Sequence, residues 1–235
     1  MEPLLKSPIF AVAITVAIYF LAQRLYRRWP LFFLNPVMIS IAALICLLKL
    51  IGLDYQTYFQ GGRFISFFLG PAVVALGVPL FQQMETIKKQ SRAILCSTLA
   101  AAVVGVASAA LTALCLGASY ETAASLAPKS VTTPIAMGIA QKLGGIPSLT
   151  AALVIAAGVL GAVLGPGFLR LAGVRSPSAF GLALGSAAHG IGTARALEEG
   201  QTQGALAGLG ICLNGLATAL TAPFLLKLFV WFLGG

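Results

Sequence analysis

Apolar residues in this chain come in long runs rather than in alternation. The segments 7–23, 29–48, 64–84, 93–120, 143–169, 176–194 and 200–226 carry no charged side chain, and they are 17, 20, 21, 28, 27, 19 and 27 residues long. The hydrocarbon core of a bilayer, about 30 Å thick, takes about 20 helical residues to cross. A helix satisfies its own backbone hydrogen bonds there, with no partner strand. One run departs from the rest: 130–141, between Lys129 and Lys142, has only 12 residues and cannot cross alone. The pattern predicts an all-α polytopic membrane protein with about six transmembrane helices, at 7–23, 29–48, 63–84, 93–116, 147–169 and 202–232. Pro30 and the Asn35-Pro36 pair open the second of these, and Lys49 and Asp54 close it.

Composition supports the same class. Of 235 residues, 59% are apolar and 9% charged, against about 25% charged in soluble globular proteins. Fifteen bases and six acids cannot cover the surface of a soluble domain this size. The composition therefore excludes a soluble enzyme, a disordered tail and a disulfide scaffold. The net charge of +9 does not indicate nucleic acid, because the bases sit at the ends of apolar runs, where anionic headgroups explain them. Cys46, Cys96, Cys115 and Cys212 lie singly within apolar stretches, without metal-ligand spacing. No GxxxxGK[ST] loop is present, and Ser186 and His189 have no orienting acid nearby, so no enzymatic activity and no cofactor are expected.

The charges also orient the chain. The flank Met1–Ser7 has one acid and one base, whereas Arg24, Arg27 and Arg28 follow the first run. The positive-inside rule then places the N-terminus outside. Lys88, Lys89 and Arg92 return to the cytoplasm after the third crossing, and the fourth exits near Glu121. A full crossing over 125–142 would put Arg170 and Arg175 outside. A re-entrant hairpin keeps them inside, and the same logic makes 178–197 a second hairpin, entering from the cytoplasm. A broken helix that spans the bilayer is the rival reading.

The two short elements resemble each other. Lys129-Ser-Val-Thr-Thr-Pro-Ile-Ala-Met137 precedes a helix ending in Gly165-Pro166, and His189-Gly-Ile-Gly-Thr-Ala-Arg-Ala-Leu197 precedes one reaching Ala222-Pro223. Opposite orientations would make them an inverted repeat, the arrangement that builds a central transporter site from interrupted helices. The whole chain, 1–235, reads as one transmembrane domain: scaffold helices over 8–51, a helix pair over 63–116, and a broken element with its helix over 122–172 and again over 178–233. Pro134 and Gly185 are expected to break the helices, with Gly190 and Gly192 permitting non-helical backbone. Lys129, Ser130, Thr132 and Thr133 at one break, and His189, Gly190, Gly192, Thr193 and Arg195 at the other, combine cations, hydroxyls and half-helix N-termini into a candidate anion site. Arg195 has two readings, a bidentate carboxylate fork or an interface cation paired with Glu198 or Glu199. None of the six acids lies in mid-span, so no metal site is expected.

PKSVTTPIA (128–136), GGIPSLTA (144–151) and SAAHGIGTARALE (186–198) resemble signatures of the LrgB/CidB family, as do the Asn35-Pro36 pair, the GG-x-FISFFLGPA stretch (61–72) and VPLFQQ (78–83). The resemblance covers nearly the whole chain. It implies the bacterial cytoplasmic membrane and one of two functions. One is transport of small carboxylates such as glycolate, glycerate, pyruvate or lactate. The other is antiholin-like control of murein hydrolase export and cell lysis, acting with a small LrgA/CidA-like membrane protein. A homodimer formed through 8–51 is also expected.

Overall fold

The computed structural model describes residues 7–29, 34–75 and 77–232, so Pro30 and the flank before Ser7 lie outside the described residues. Twelve α-helices and no strand occur among them. The chain forms two compact units, Met1–Leu76 and Gly77–Gly235.

The first unit contains α1 (Pro8–Arg28), α2 (Pro36–Leu50), α3 (Tyr55–Phe67) and α4 (Leu69–Ala75). Each of the first three begins on a side-chain cap that satisfies otherwise orphaned amides. The Ser7 hydroxyl accepts from Ile9 N–H, the Asn35 Oδ1 from Val37 and Met38, and the Asp54 carboxylate from Gln56 and Thr57. Proline fills the first helical position of α1 and α2, where a missing N–H costs nothing. Gly61 of α3 lies so close to Pro8 and Ala11 that a Cβ would collide with both. The Thr15 and Tyr58 hydroxyls share a 2.7 Å hydrogen bond between the same two helices.

The predicted crossing over 63–84 is not one helix. It is divided among the end of α3, α4, α5 (Gly77–Gln82) and the start of α6 (Met84–Lys89). Proline accounts for the first break: Pro71 cannot donate to the carbonyl of Phe67, four residues back, and α3 ends at Phe67. Among the described residues, four helices are long and apolar enough to span: α1, α7 (Ser91–Cys115), α10 (Pro147–Leu171) and α12 (Gln201–Phe232). The 15-residue α2 is apolar but shorter.

In the second unit α8 (Tyr120–Leu126), α9 (Thr133–Lys142) and α11 (Pro177–Glu199) complete the sequence of elements. The chain reverses twice. Ser130, between α8 and α9, lies against Gly105 in the middle of α7, yet Gly144 and Gly145 are back beside Tyr120 and Ser125. Residues 120–145 therefore form a helical hairpin. Its open end is tied by Ser125, whose hydroxyl accepts from Ile146 N–H (2.7 Å) and whose carbonyl accepts from the Thr150 hydroxyl (3.0 Å). α11 reverses at Ala188 and His189, which leave helical φ/ψ. Beyond them Gly192 lies against the Leu184 carbonyl so closely that no Cβ would fit.

Contacts along the helices give their directions. Gly158, Gly161 and Gly165 of α10 face His189, Ala188 and Leu184 in turn, so α10 and the first arm of α11 are antiparallel. Gly181 and Gly185 press on the Gln203 and Ala207 carbonyls, so that arm is parallel to α12. α10 and α12, each preceded by a hairpin, thus run in opposite directions. Ile94 shares a core with Ala205 and Leu206, and Val106, Ala110 and Ala113 share another with Ala222 and Leu226, which makes α7 parallel to α12.

Candidate functional site

Both hairpins end beside α12. Asn214, halfway along the polar-poor face of that helix and 1% exposed, donates from its amide nitrogen to the Ser130 carbonyl (3.3 Å) and to the Ser186 carbonyl (2.9 Å). Those two bonds bring the two carbonyl oxygens within about 6 Å of each other. A cleft of about 600 Å³ runs up to this meeting point. It is walled by the first half of α7, the first arm of α11 and residues 129–130, with Gln90 and Ser176 at its mouth and Ile94, Ala101, Val104, Leu182, Ala183 and Ala187 along it.

The inner end of the cleft is polar. Lys129 and Ser130 line it, with the Lys129 ammonium donating to the Ser130 hydroxyl (3.2 Å). Ser186 lines the other side and is 4% exposed. Among the described residues the buried side-chain polar atoms lacking a hydrogen-bond partner are the Ser186 hydroxyl and Asn214 Oδ1. Buried polar groups without partners are costly, and two on adjoining residues mark a place that accepts something more. A cation and two hydroxyls can offset and orient a small anion. No cluster of His, Cys, Asp or Glu able to hold a metal occurs among the described residues.

The other sequence-predicted residues fall elsewhere. Thr132 caps α9 without a side-chain hydrogen bond, Thr133 opens that helix, and Pro134 is exposed, so none of the three lines the cleft. His189 is the turn residue of the second hairpin. It is buried, at φ 43° and ψ −131°, and its ring Nε2–H donates to the Val154 carbonyl (2.9 Å). The Thr193 hydroxyl donates back to the His189 carbonyl (3.0 Å). Gly190 is exposed, with open space where a Cβ would go. The break therefore lies at His189 rather than at glycine, and Gly185 and Gly192 serve close packing instead. Arg195 is not part of the cleft. It pairs with Glu199 (2.6 Å) and Glu198 (3.2 Å), and Glu199 also binds Arg170 (2.6 Å), which fastens the outgoing arm of α11 to the end of α10. Its guanidinium already has its carboxylates, so the fork reading does not hold at this site.

By sequence, Ser186 was weighed only as a hydrolase nucleophile, and Asn214 was not singled out. Asn214 did carry a signal: a full amide in the middle of a 27-residue uncharged run needs partners inside the protein.

Strandless apolar helices, four of them of spanning length, together with two opposed hairpins that meet over a polar cleft end, define an all-α membrane protein built on interrupted helices. The chain belongs to the LrgB-like family, whose model matches residues 15–228. It is 38% identical to "Uncharacterized protein YxaC" and 35% identical to "Uncharacterized protein YwbG", both of Bacillus subtilis, over 94% and 93% of this chain and 96% and 97% of theirs. It is 33% identical to "Holin-like protein CidB" of Staphylococcus aureus over 93% of this chain and 95% of that one. No solved structure matches the chain.

Proposed function

We propose that the protein transports small monocarboxylates or hydroxycarboxylates, of the glycolate, glycerate, pyruvate or lactate class, across the bacterial cytoplasmic membrane. The observation that carries this reading is Lys129, an ammonium with no carboxylate partner among the described residues, at the inner end of an apolar-walled cleft that Ser130 and Ser186 also line. A carboxylate leaving water for such a site needs a compensating cation and donors, and these three residues supply them. Arg92 and Arg175 stand next to the residues of the cleft's mouth, which under the positive-inside rule turns the mouth to the cytoplasm and the N-terminus outward. The exposed helices of 8–51 are the surface we assign to a homodimer.

The test is uptake of labelled glycolate and lactate into proteoliposomes by the purified protein and by Lys129→Gln. Saturable uptake that the variant loses supports the reading, and equal rates with and without the ammonium refute it. A second reading rests on the Staphylococcus aureus relative described as holin-like: a regulator of lysis that works with a small LrgA/CidA-like membrane partner. That reading predicts no saturable carboxylate uptake, and co-purification with such a partner that does not depend on Lys129.

A further inference from the structure

Two carbonyls at the hairpin tips share one side-chain donor. The residue four positions after Ser130 is Pro134, which has no N–H to give. After Ser186 the helix stops at Ala188 and His189, two residues before the next turn would close. Both carbonyls accept from the amide nitrogen of Asn214, at 3.3 and 2.9 Å. Asn214 is 1% exposed, does not line the cleft, and belongs to neither hairpin. The two residues it holds both line the cleft's inner end, one on each tip. A carbonyl and a Cβ leave the same backbone unit, so fixing the Ser130 and Ser186 peptides fixes the points from which their hydroxyls project.

From this we infer that Asn214 is the positioning residue of the anion site: it sets the spacing and direction of the Ser130 and Ser186 hydroxyls through their main chain, and thereby the shape of anion the cleft accepts. The inference rests on the proposed transport reading for its ligand but not for its geometry. Asn214 spends both amide hydrogens on the tips, which also fixes which way its side chain faces and leaves Oδ1 with no partner. Replacing the amide by a group of similar size without donors leaves two buried carbonyls unpaired and frees the tips from each other.

The experiment has two arms, both on the full chain in nanodiscs. In the first, glycolate and acetate binding is measured for the wild type, Asn214→Leu, Ser130→Ala/Ser186→Ala, and the combination. Asn214→Leu is expected to weaken glycolate binding about tenfold, the loss of one good hydrogen-bonded contact. It is expected to add no further loss once both serines are alanine. An equal loss in both backgrounds, or none in either, overturns the inference. The second arm needs no ligand. With Cys46, Cys96, Cys115 and Cys212 replaced by alanine, a Ser130→Cys/Ser186→Cys pair is cross-linked with a short bis-maleimide. Rapid cross-linking that Asn214→Leu slows severalfold supports positioning, and an unchanged rate overturns it. Should Asn214→Leu fail to fold, Asn214→Ser, which keeps one donor, takes its place in both arms with the same expected direction. If the wild type binds neither acid, the transport reading falls while the cross-linking arm still decides the role of Asn214.

Discussion

Lys129 has no acid partner among the described residues, so its charge is available to a ligand and its loss is felt directly. Lys129→Gln is expected to cost carboxylate binding roughly 2–5 kcal/mol, the range for removing one partner of a desolvated charge pair; equilibrium binding of labelled glycolate measures it. Arg195→Ala is expected to leave that binding within about twofold, because the guanidinium is committed to Glu198 and Glu199. His189 presents a different balance. At φ 43° its backbone lies where glycine is at ease and a side chain is strained, yet the ring holds the Val154 carbonyl. His189→Ala should lose about 1–3 kcal/mol, keeping the strain and leaving a buried carbonyl unpaired. His189→Gly should lose less, because the strain goes with the Cβ, and thermal unfolding in detergent distinguishes the two. At this scale the sequence was informative about cations and poor about geometry. Lys129 stood out as an expensive charge in an apolar setting, whereas the distinction between Lys129 and Arg195 depends on which acids fold beside each, and spacing alone left both readings open.

At the level of elements, the second hairpin is held by close backbone contact in addition to the packing of Phe180 and Leu184 on Ala196 and Ala207. Gly181 and Gly185 let its first arm touch the carbonyls of α12, and Gly192 brings its second arm onto the first. A methyl group at Gly185 would collide with the Ala207 carbonyl, whereas at Gly190 it would meet open space. Gly185→Ala is therefore expected to lower stability by about 1–3 kcal/mol, and Gly190→Ala to leave it nearly unchanged. Comparative thermal unfolding of the two variants checks this. The existence of both hairpins was legible in the sequence, the first from a run too short to cross and from the side on which Arg170 and Arg175 must lie, the second by the same counting of crossings against charges. Where the second hairpin turns was not legible. Gly185, Gly190 and Gly192 advertise flexible backbone, but three of the glycines in this region are needed for proximity, and the turn fell to a histidine that finds its acceptor on another helix. The break after Phe67 has a local cause in Pro71, four residues on, though hydropathy alone favours an unbroken span over 63–84.

For the whole molecule, the opposed directions of α10 and α12 give the second unit its inverted character, and the cleft extends from the hairpin tips to Gln90 and Ser176. Basic residues flank that end, which ties the geometry of the cleft to the topology of the chain. Ser176→Cys, in a background without the four native cysteines, is expected to react with a membrane-impermeant maleimide from the cytoplasmic side and not from outside. Labelling from outside alone would invert the assigned orientation.

The central claim is that a carboxylate crosses through a site whose charge is supplied by Lys129. Counterflow tests it most directly: proteoliposomes loaded with unlabelled glycolate are diluted into a trace of labelled glycolate, with the wild type and Lys129→Gln reconstituted at equal amounts. A transient accumulation of label in the wild type that is absent in the variant is the predicted result. Wild-type vesicles that show no accumulation beyond protein-free vesicles, or a variant that accumulates label as fast as the wild type, would contradict the account.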